Sequence, residues 1–140
     1  MVKNSKKGFT LAELLMVVVI LGLLGAIAMP KFFPQKEKAI VAEAVAMLHA
    51  IRQAELSYRL ENGDYLELTQ NSGDADWNKI GLDDPDSSRF TYSVDNSTVV
   101  AMRGGTDTDA NYKGKVIKLK LKDGAWDRDG TGIHPLAPEN

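Results

Sequence analysis

The chain has 140 residues, 44% of them hydrophobic and 26% charged, with 17 Lys plus Arg against 19 Asp plus Glu and no cysteine. That length accommodates one small domain beside a short extra element, and the missing cysteines exclude a disulfide framework, thiolate metal sites and thiol catalysis. Charge is unevenly spread: beyond residue 34 there are 13 basic and 18 acidic residues, a formal charge of −5, which argues against a module built to hold nucleic acid or another polyanion.

Residues 1–8, MVKNSKKG, form a basic leader with no structural task, and they are set aside in reasoning about the fold. From Phe9 to Met29 the chain is apolar, Gly or Thr apart from one charge, Glu13, which suits the roughly 20 residues a helix needs to cross the hydrocarbon core. The run exceeds the roughly 7 to 15 apolar residues of a cleaved secretory signal, and no small-x-small site followed by a polar start ends it. Lys3, Lys6 and Lys7 precede it, so the positive-inside bias keeps the N-terminus cytoplasmic and places the following domain across the membrane. An unpaired carboxylate at Glu13 would cost about 2.5 to 3.5 kcal/mol deep in the bilayer and so asks for a partner; four residues after Phe9, it can also reach the headgroup layer.

Lys7-Gly8-Phe9-Thr10-Leu11-Ala12-Glu13 followed by a long apolar run resembles the class III signal of type IV pilins and of the pseudopilins of type II secretion systems. The resemblance covers residues 6 to 34. It implies that a prepilin peptidase cuts between Gly8 and Phe9, that the freed Phe9 amine is N-methylated, and that Glu13 pairs with the Phe9 ammonium of a neighbouring subunit during filament assembly. Such a buried pair sets register, because a wrongly staggered subunit leaves a charge unpaired among apolar helices. Ala12 departs mildly from the branched aliphatic usual there. The resemblance further implies partners: the chain itself in a helical filament, the peptidase and methyltransferase, an assembly platform and the inner membrane.

Residues 9 to about 61 read as one long interrupted helix, extending roughly 80 Å if continuous. Gly22, Gly25, Pro30 and Pro34 interrupt it, so kinks or local melting are expected between residues 26 and 34. From about Gln35 to Glu61 the helix becomes amphipathic. Ile40, Ala44, Met47, Leu48, Ile51, Ala54 and Tyr58 form one apolar stripe, with Lys36, Glu37, Glu43, Arg52, Gln53 and Arg59 largely outside it. His49 has no second ligand at metal spacing and reads as a surface or boundary residue. Asn62-Gly63 signals the helix end.

The stretch from Tyr58 to Tyr65 is similar to the tyrosine and Asn-Gly pattern that closes the long helix in many pilins. Residues 66 to 89 read as a loop anchored by Trp77, Ile80 and Leu82. Phe90, Tyr92 and Val94 alternate with polar residues, a turn occupies Asp95 to Thr98, and Val99 to Arg103 returns, which makes a β-hairpin. After a loop from Gly104 to Gly114, Val116 to Lys122 alternates with Ile117, Leu119 and Leu121 on one face and Lys118, Lys120 and Lys122 on the other. Those lysines read as solvated residues protecting a sheet edge. Asp123-Gly124 makes a last turn, and residues 127–140 read as loop or tail.

Asp127 with Asp129, and Asp107 with Asp109, offer the alternating oxygen donors that calcium favours, and major pseudopilins bind calcium in such loops. Neither run carries the bidentate Glu of an EF-hand: the twelfth positions are Pro138 and Lys118. Turn aspartates commonly serve the backbone, so no cofactor is expected, with calcium at Asp127 and Asp129 or at Asp107 and Asp109 as the weaker alternative. No nucleophile with a base and no phosphate-binding glycine loop is present, so an enzyme is not expected.

The sequence thus points to an α+β pilin fold: leader 1–8, a transmembrane and polymerisation helix 9–34, and a globular domain 35–140 whose helix packs on a small antiparallel sheet. The expected function is that of a structural subunit of a type IV pilus-like filament, held by one span in the inner membrane before assembly and in the filament afterwards. Two alternatives stand beside it: the major pseudopilin of a type II secretion system, and, from a different class, a single-pass membrane-anchored binding domain. Many type IV pilins close their C-terminal region with a disulfide, and this cysteine-free chain departs from them there.

Overall fold

A computed structural model describes residues 8–105 and 111–140, with the side chains of residues 28–34 outside the described set. The leader before Gly8 and the candidate ligands Asp107 and Asp109 therefore lie outside the described residues, as do the side chains of Pro30 and Pro34. The elements are α1 (Leu11–Asn62), α2 (Asp74–Trp77), a single 3-10 turn (Asn78–Ile80), β1 (Phe90–Asp95), β2 (Thr98–Arg103) and β3 (Val116–Lys120). The chain divides into two compact units, one ending at Glu37 and the other spanning Lys38–Asn140.

In the first unit the helix is unbroken through Gly22, Gly25, Pro30 and Pro34. The interruption expected between residues 26 and 34 is thus not a gap in the helix. A proline removes one backbone donor, while the hydrogen bonds on either side can persist. Every large apolar side chain from Phe9 to Ile27 is exposed, from 47% at Ile20 to 84% at Phe9.

The second unit buries what it has. Ile40, Ala44, Leu48 and Ile51 of the stripe are at most 4% exposed, and Met47, Ala54 and Tyr58 pack partly against the same core. They are joined by Phe90, Tyr92 and Val94 of β1, Val99 and Ala101 of β2, and Ile117, Leu119 and Leu121 on or after β3. These are the inward positions of three strands that alternate with period two. Removing a buried Leu such as Leu48 from water contributes about 1.5 to 3 kcal/mol. The helix ends where Gly63 takes φ 91°, its N–H donating to the Arg59 carbonyl at 2.8 Å; a left-handed residue is what stops a helix there.

The sheet is antiparallel in the order β1-β2-β3. Asp95 pairs with Thr98, so the hairpin turns on two residues, Asn96 (φ 45°) and Ser97 (φ 66°). Left-handed conformations at both central positions match the right-handed twist of the strands. Both outer edges are closed by irregular chain. Leu68 exchanges backbone hydrogen bonds with Val94 on the β1 side. On the β3 side Trp126 pairs with Leu119 and Ile133 with Val116.

The C-terminal stretch is therefore a packed closure. His134 is fully buried and Ala137 nearly so, Trp126 N–H donates to Asn140 Oδ1 at 2.6 Å, and Arg128 donates to the Ala137 carbonyl at 2.8 Å. Gly124 belongs to the same closure: at φ 74° it already favours glycine, and a Cβ there would stand 3.2 Å from Cζ of Arg52. Arg52 in turn donates to the Leu121 carbonyl at 3.0 Å.

Between helix and sheet, residues 66–89 are more ordered than a loop. The short helix and 3-10 turn place Trp77 and Ile80 in the core, with Leu82 packed beside them. Three polar residues join the buried interior: Glu55, Arg103 and His134. Glu37 is also nearly buried rather than outside the stripe.

Candidate functional site

The candidate site is the segment from Gly8 to Glu13, at the start of α1. Gly8, Phe9 and Thr10 are exposed and outside any regular element, and α1 begins at Leu11. The Gly8–Phe9 bond thus lies on open backbone two residues before the helix begins. A Cβ on Gly8 would meet nothing within 4 Å among the described residues, so none of those contacts calls for glycine at that position.

The helix start is a capping box. Thr10 Oγ1 accepts from the Glu13 N–H at 3.2 Å, while Glu13 Oε2 accepts from both the Thr10 N–H and its hydroxyl, each at 2.8 Å. Two orphan donors of the first turn are satisfied reciprocally. The signal was present in the sequence as Thr-x-x-Glu, overshadowed by the question of an acid within an apolar run. Thr10 joins Gly8, Phe9 and Glu13 as a residue of this segment, and one Glu13 oxygen is already engaged inside the subunit.

Around it, Leu11, Leu14, Leu15, Val18 and Leu21 are all at least 59% exposed. Among the described residues no helix is long and apolar enough to cross a membrane. The described side chains of this half stop at Ile27, whereas the apolar sequence continues to Met29.

The remaining candidates are not drawn together. His49 is exposed and meets Trp126 edge-on at 5.4 Å. Asp127 spends one carboxylate oxygen on the backbone N–H of Asp129 at 3.0 Å, and the Asp129 carbonyl accepts from Lys118 Nζ at 3.1 Å. The Asp127 carboxylate thus closes an Asx turn. Among the described residues no group of three His, Cys, Asp or Glu is gathered as a metal site.

Glu55 is a fully buried acid of the globular unit. It has no exposed surface, its Oε2 accepts from the Leu66 N–H at 2.9 Å, and Oε1 has no partner. Burial raises its pKa, opposed by that single hydrogen bond. Its place four residues after Ile51, seven after Leu48 and eleven after Ala44 puts it on the buried stripe, which is the signal that could have found it.

Comparison with known proteins agrees with this geometry. Residues 3–29 match the family described as a prokaryotic N-terminal methylation motif. A fimbrial protein of Neisseria meningitidis serogroup A is 30% identical over 124 residues, covering 86% of this chain and 69% of that protein. The type IV major pilin protein PilE of Neisseria gonorrhoeae is 28% identical over 124 residues, covering 86% and 71%. The type II secretion system core protein G of Aeromonas hydrophila is 40% identical over 65 residues, 46% of each chain. With its methylation motif, capped N-terminal helix and small antiparallel sheet, the chain belongs to the type IV pilin family of structural filament subunits.

Proposed function

We propose that this chain is the structural subunit of a type IV pilus-like filament, cut between Gly8 and Phe9, N-methylated at Phe9 and assembled through its exposed apolar helix. The observation that carries the reading is the extent of the likeness: the fimbrial relative aligns over 86% of the chain, sheet domain included. Before assembly the apolar half anchors the subunit in the inner membrane; in the filament the same side chains meet identical helices. Cleavage leaves a cationic amine at Phe9, and Glu13 Oε1, not engaged by Thr10, is the oxygen available to a neighbour's amine. Gly22, Gly25, Pro30 and Pro34 supply the places where the helix can bend during transfer from bilayer to filament.

Its partners on this reading are other copies of itself, a prepilin peptidase with methyltransferase activity, and an assembly platform. Its role is structural rather than catalytic, and it works without a cofactor. A second reading, the major pseudopilin of a secretion system, is favoured by the 40% identity to core protein G, though over 46% of the chain only.

Intact mass and N-terminal fragmentation of protein from the native shear fraction test the first reading. The expected chain starts at a methylated Phe9; a chain retaining Met1 to Gly8 would falsify it and favour a tethered domain. Recovery of the mature chain by shearing supports a pilus, whereas retention in the cell envelope supports the pseudopilus. Glu13→Ala should leave membrane insertion intact and reduce sheared filaments by at least about tenfold, the effect of losing about 1.4 kcal/mol per contact.

A further inference from the structure

Glu55 stands where an apolar residue would complete the buried stripe of α1. Its Oε2 accepts from the Leu66 N–H at 2.9 Å, and Oε1, equally buried, has no partner among the described residues. This hydrogen bond ties the helix to the segment that turns back after Gly63 and covers the β1 flank of the sheet. Two residues on, the Leu68 N–H donates to the Val94 carbonyl at 3.1 Å and the Leu68 carbonyl accepts from the Val94 N–H at 2.7 Å. The Glu55 carboxyl is therefore a buried latch between α1 and the cover of β1.

Among the described residues no opposite charge is turned to it. Burial pushes its pKa up, opposed by the Leu66 hydrogen bond. On its own helix Arg52 donates to the Leu121 carbonyl at 3.0 Å, and Arg59 donates to the Tyr65 hydroxyl at 3.0 Å. Tyr58 lines a groove with Lys79, which pairs with Asp76 at 2.7 Å. The covering segment brings Asp64 and Glu67, both exposed acids, and a like charge disfavours a further carboxylate. On the sheet, Tyr92 and Arg103 belong to the other end of the stripe. Burial, then Glu43 and Asp86, push the Tyr92 hydroxyl up to about 12, and Arg103 donates to the carbonyl of Arg89, which pairs with Glu43 at 3.0 Å. Glu43 stands about 18 Å from Glu55 along the helix at the usual rise. An ionised Glu55 is therefore relieved by reaching water, and that means releasing Leu66.

We propose that ionisation of Glu55 unlatches residues 64–68 from β1, so that this flank of the sheet is closed in acid and opens transiently as pH rises. A carboxyl whose closed-state pKa lies above its ordinary value of 4.5 holds its proton more tightly when closed. Closure is thus fully favoured below the ordinary value and weakens as pH rises through the raised one. Opening frees the Val94 N–H and carbonyl that Leu68 otherwise occupies, and it leaves the sheet an unpaired edge on that side. The device acts within one copy and is independent of whether copies assemble into a filament.

Amide hydrogen exchange of the full chain in detergent micelles tests this, with each rate corrected for the intrinsic pH dependence of exchange. From about pH 4 to about pH 8, a span that starts in the ordinary carboxylate range, protection of the Leu66 and Leu68 amides should fall about threefold or more, the scale of one buried hydrogen bond. Protection of Lys120, whose N–H donates to the Ala125 carbonyl at 2.9 Å on the opposite flank, should stay constant. Glu55→Gln keeps the shape and an acceptor oxygen but loses the charge, so its Leu66 and Leu68 protection should not change with pH. Protection that is flat with pH in the wild-type chain overturns the proposal. So does a fall that persists in Glu55→Gln, or one that Lys120 shares, since opening would then be driven by another group or be global.

A core substitution can disturb folding, and the wild-type chain supplies a second readout that needs none. The side-chain carboxyl carbon of Glu55, followed by NMR, should titrate with a midpoint above 4.5 and together with the loss of Leu66 protection. A midpoint at or below that value, or one unrelated to the loss of protection, would contradict the latch.

Discussion

The two halves of α1 are made of equally apolar side chains and treat them in opposite ways. From Leu11 to Ile27 the apolar residues ring the helix and all stand exposed, whereas from Ile40 to Ile51 they form a stripe that is almost wholly buried. A stripe can be covered by one sheet, and this chain carries that sheet. A ring can be covered only by lipid or by several other helices. The difference separates what the sequence folds by itself from what it can complete only in company.

The largest expected effect breaks that contrast directly. Leu48→Ala should cost about 2 to 5 kcal/mol of stability, by loss of buried volume, while Leu15→Ala, at a 59% exposed site, should stay within about 0.5 kcal/mol. Chemical denaturation of the detergent-solubilised chain, followed by Trp fluorescence, measures both. Equal costs would mean that the apolar half is packed inside the subunit after all.

Gly124→Ala comes next. The substituted residue must hold φ 74° and push against Arg52, so a loss of about 1 to 3 kcal/mol is expected in the globular half, by strain. Melting of the variant in the same detergent would show it. Melting at the wild-type temperature would mean that the closure of the β3 edge is looser than its hydrogen bonds suggest.

The pH response sharpens the contrast further, because burial is confined to one half. Burial raises the pKa of Glu55 from 4.5 and that of Asp86 from 3.8. An acid raised in the folded state holds its proton more tightly there than in the unfolded chain. Its contribution is therefore most favourable below the unfolded value and is lost as pH rises through the folded one. Glu55→Gln should accordingly raise stability at pH 7 by about 0.5 to 1.5 kcal/mol, the scale of one buried polar group, and the gain should vanish near pH 4. A gain independent of pH would show that Glu55 does not titrate with folding. The smallest effect concerns calcium. With Asp127 engaged by its own turn and Lys118 at the Asp129 carbonyl, millimolar calcium should move the melting temperature by less than about 1 °C, since a ligand that does not bind cannot stabilise. A clear upward shift would show that Asp107 and Asp109 complete a site.

Much of this was legible in the chain. The inward residues of β1 and β3 follow from alternation, the hairpin at Asp95–Thr98 from its turn residues, and the stripe from Ile40 to Tyr58 from its spacing. What escaped has two physical sources. The C-terminal closure is built from backbone hydrogen bonds to β3, which leave no periodic trace in Asp127 to Asn140. Glu55, Arg103 and His134 are polar residues buried by contacts far away in sequence: Arg103, for example, donates to the Arg89 carbonyl at 3.0 Å and lies over the Phe90 ring. In the N-terminal segment, Gly8, Phe9 and Glu13 were legible as a motif, while Thr10 was passed over because its role is local helix chemistry.

The closed flanks of the sheet have a consequence for crowded copies of this chain. Leu68 on one side and Trp126 and Ile133 on the other occupy backbone groups that would otherwise template a neighbouring strand. Crowded subunits are thereby denied the route to cross-β aggregation. A neighbouring copy therefore finds no open backbone ladder at Leu68, Trp126 or Ile133 to pair with.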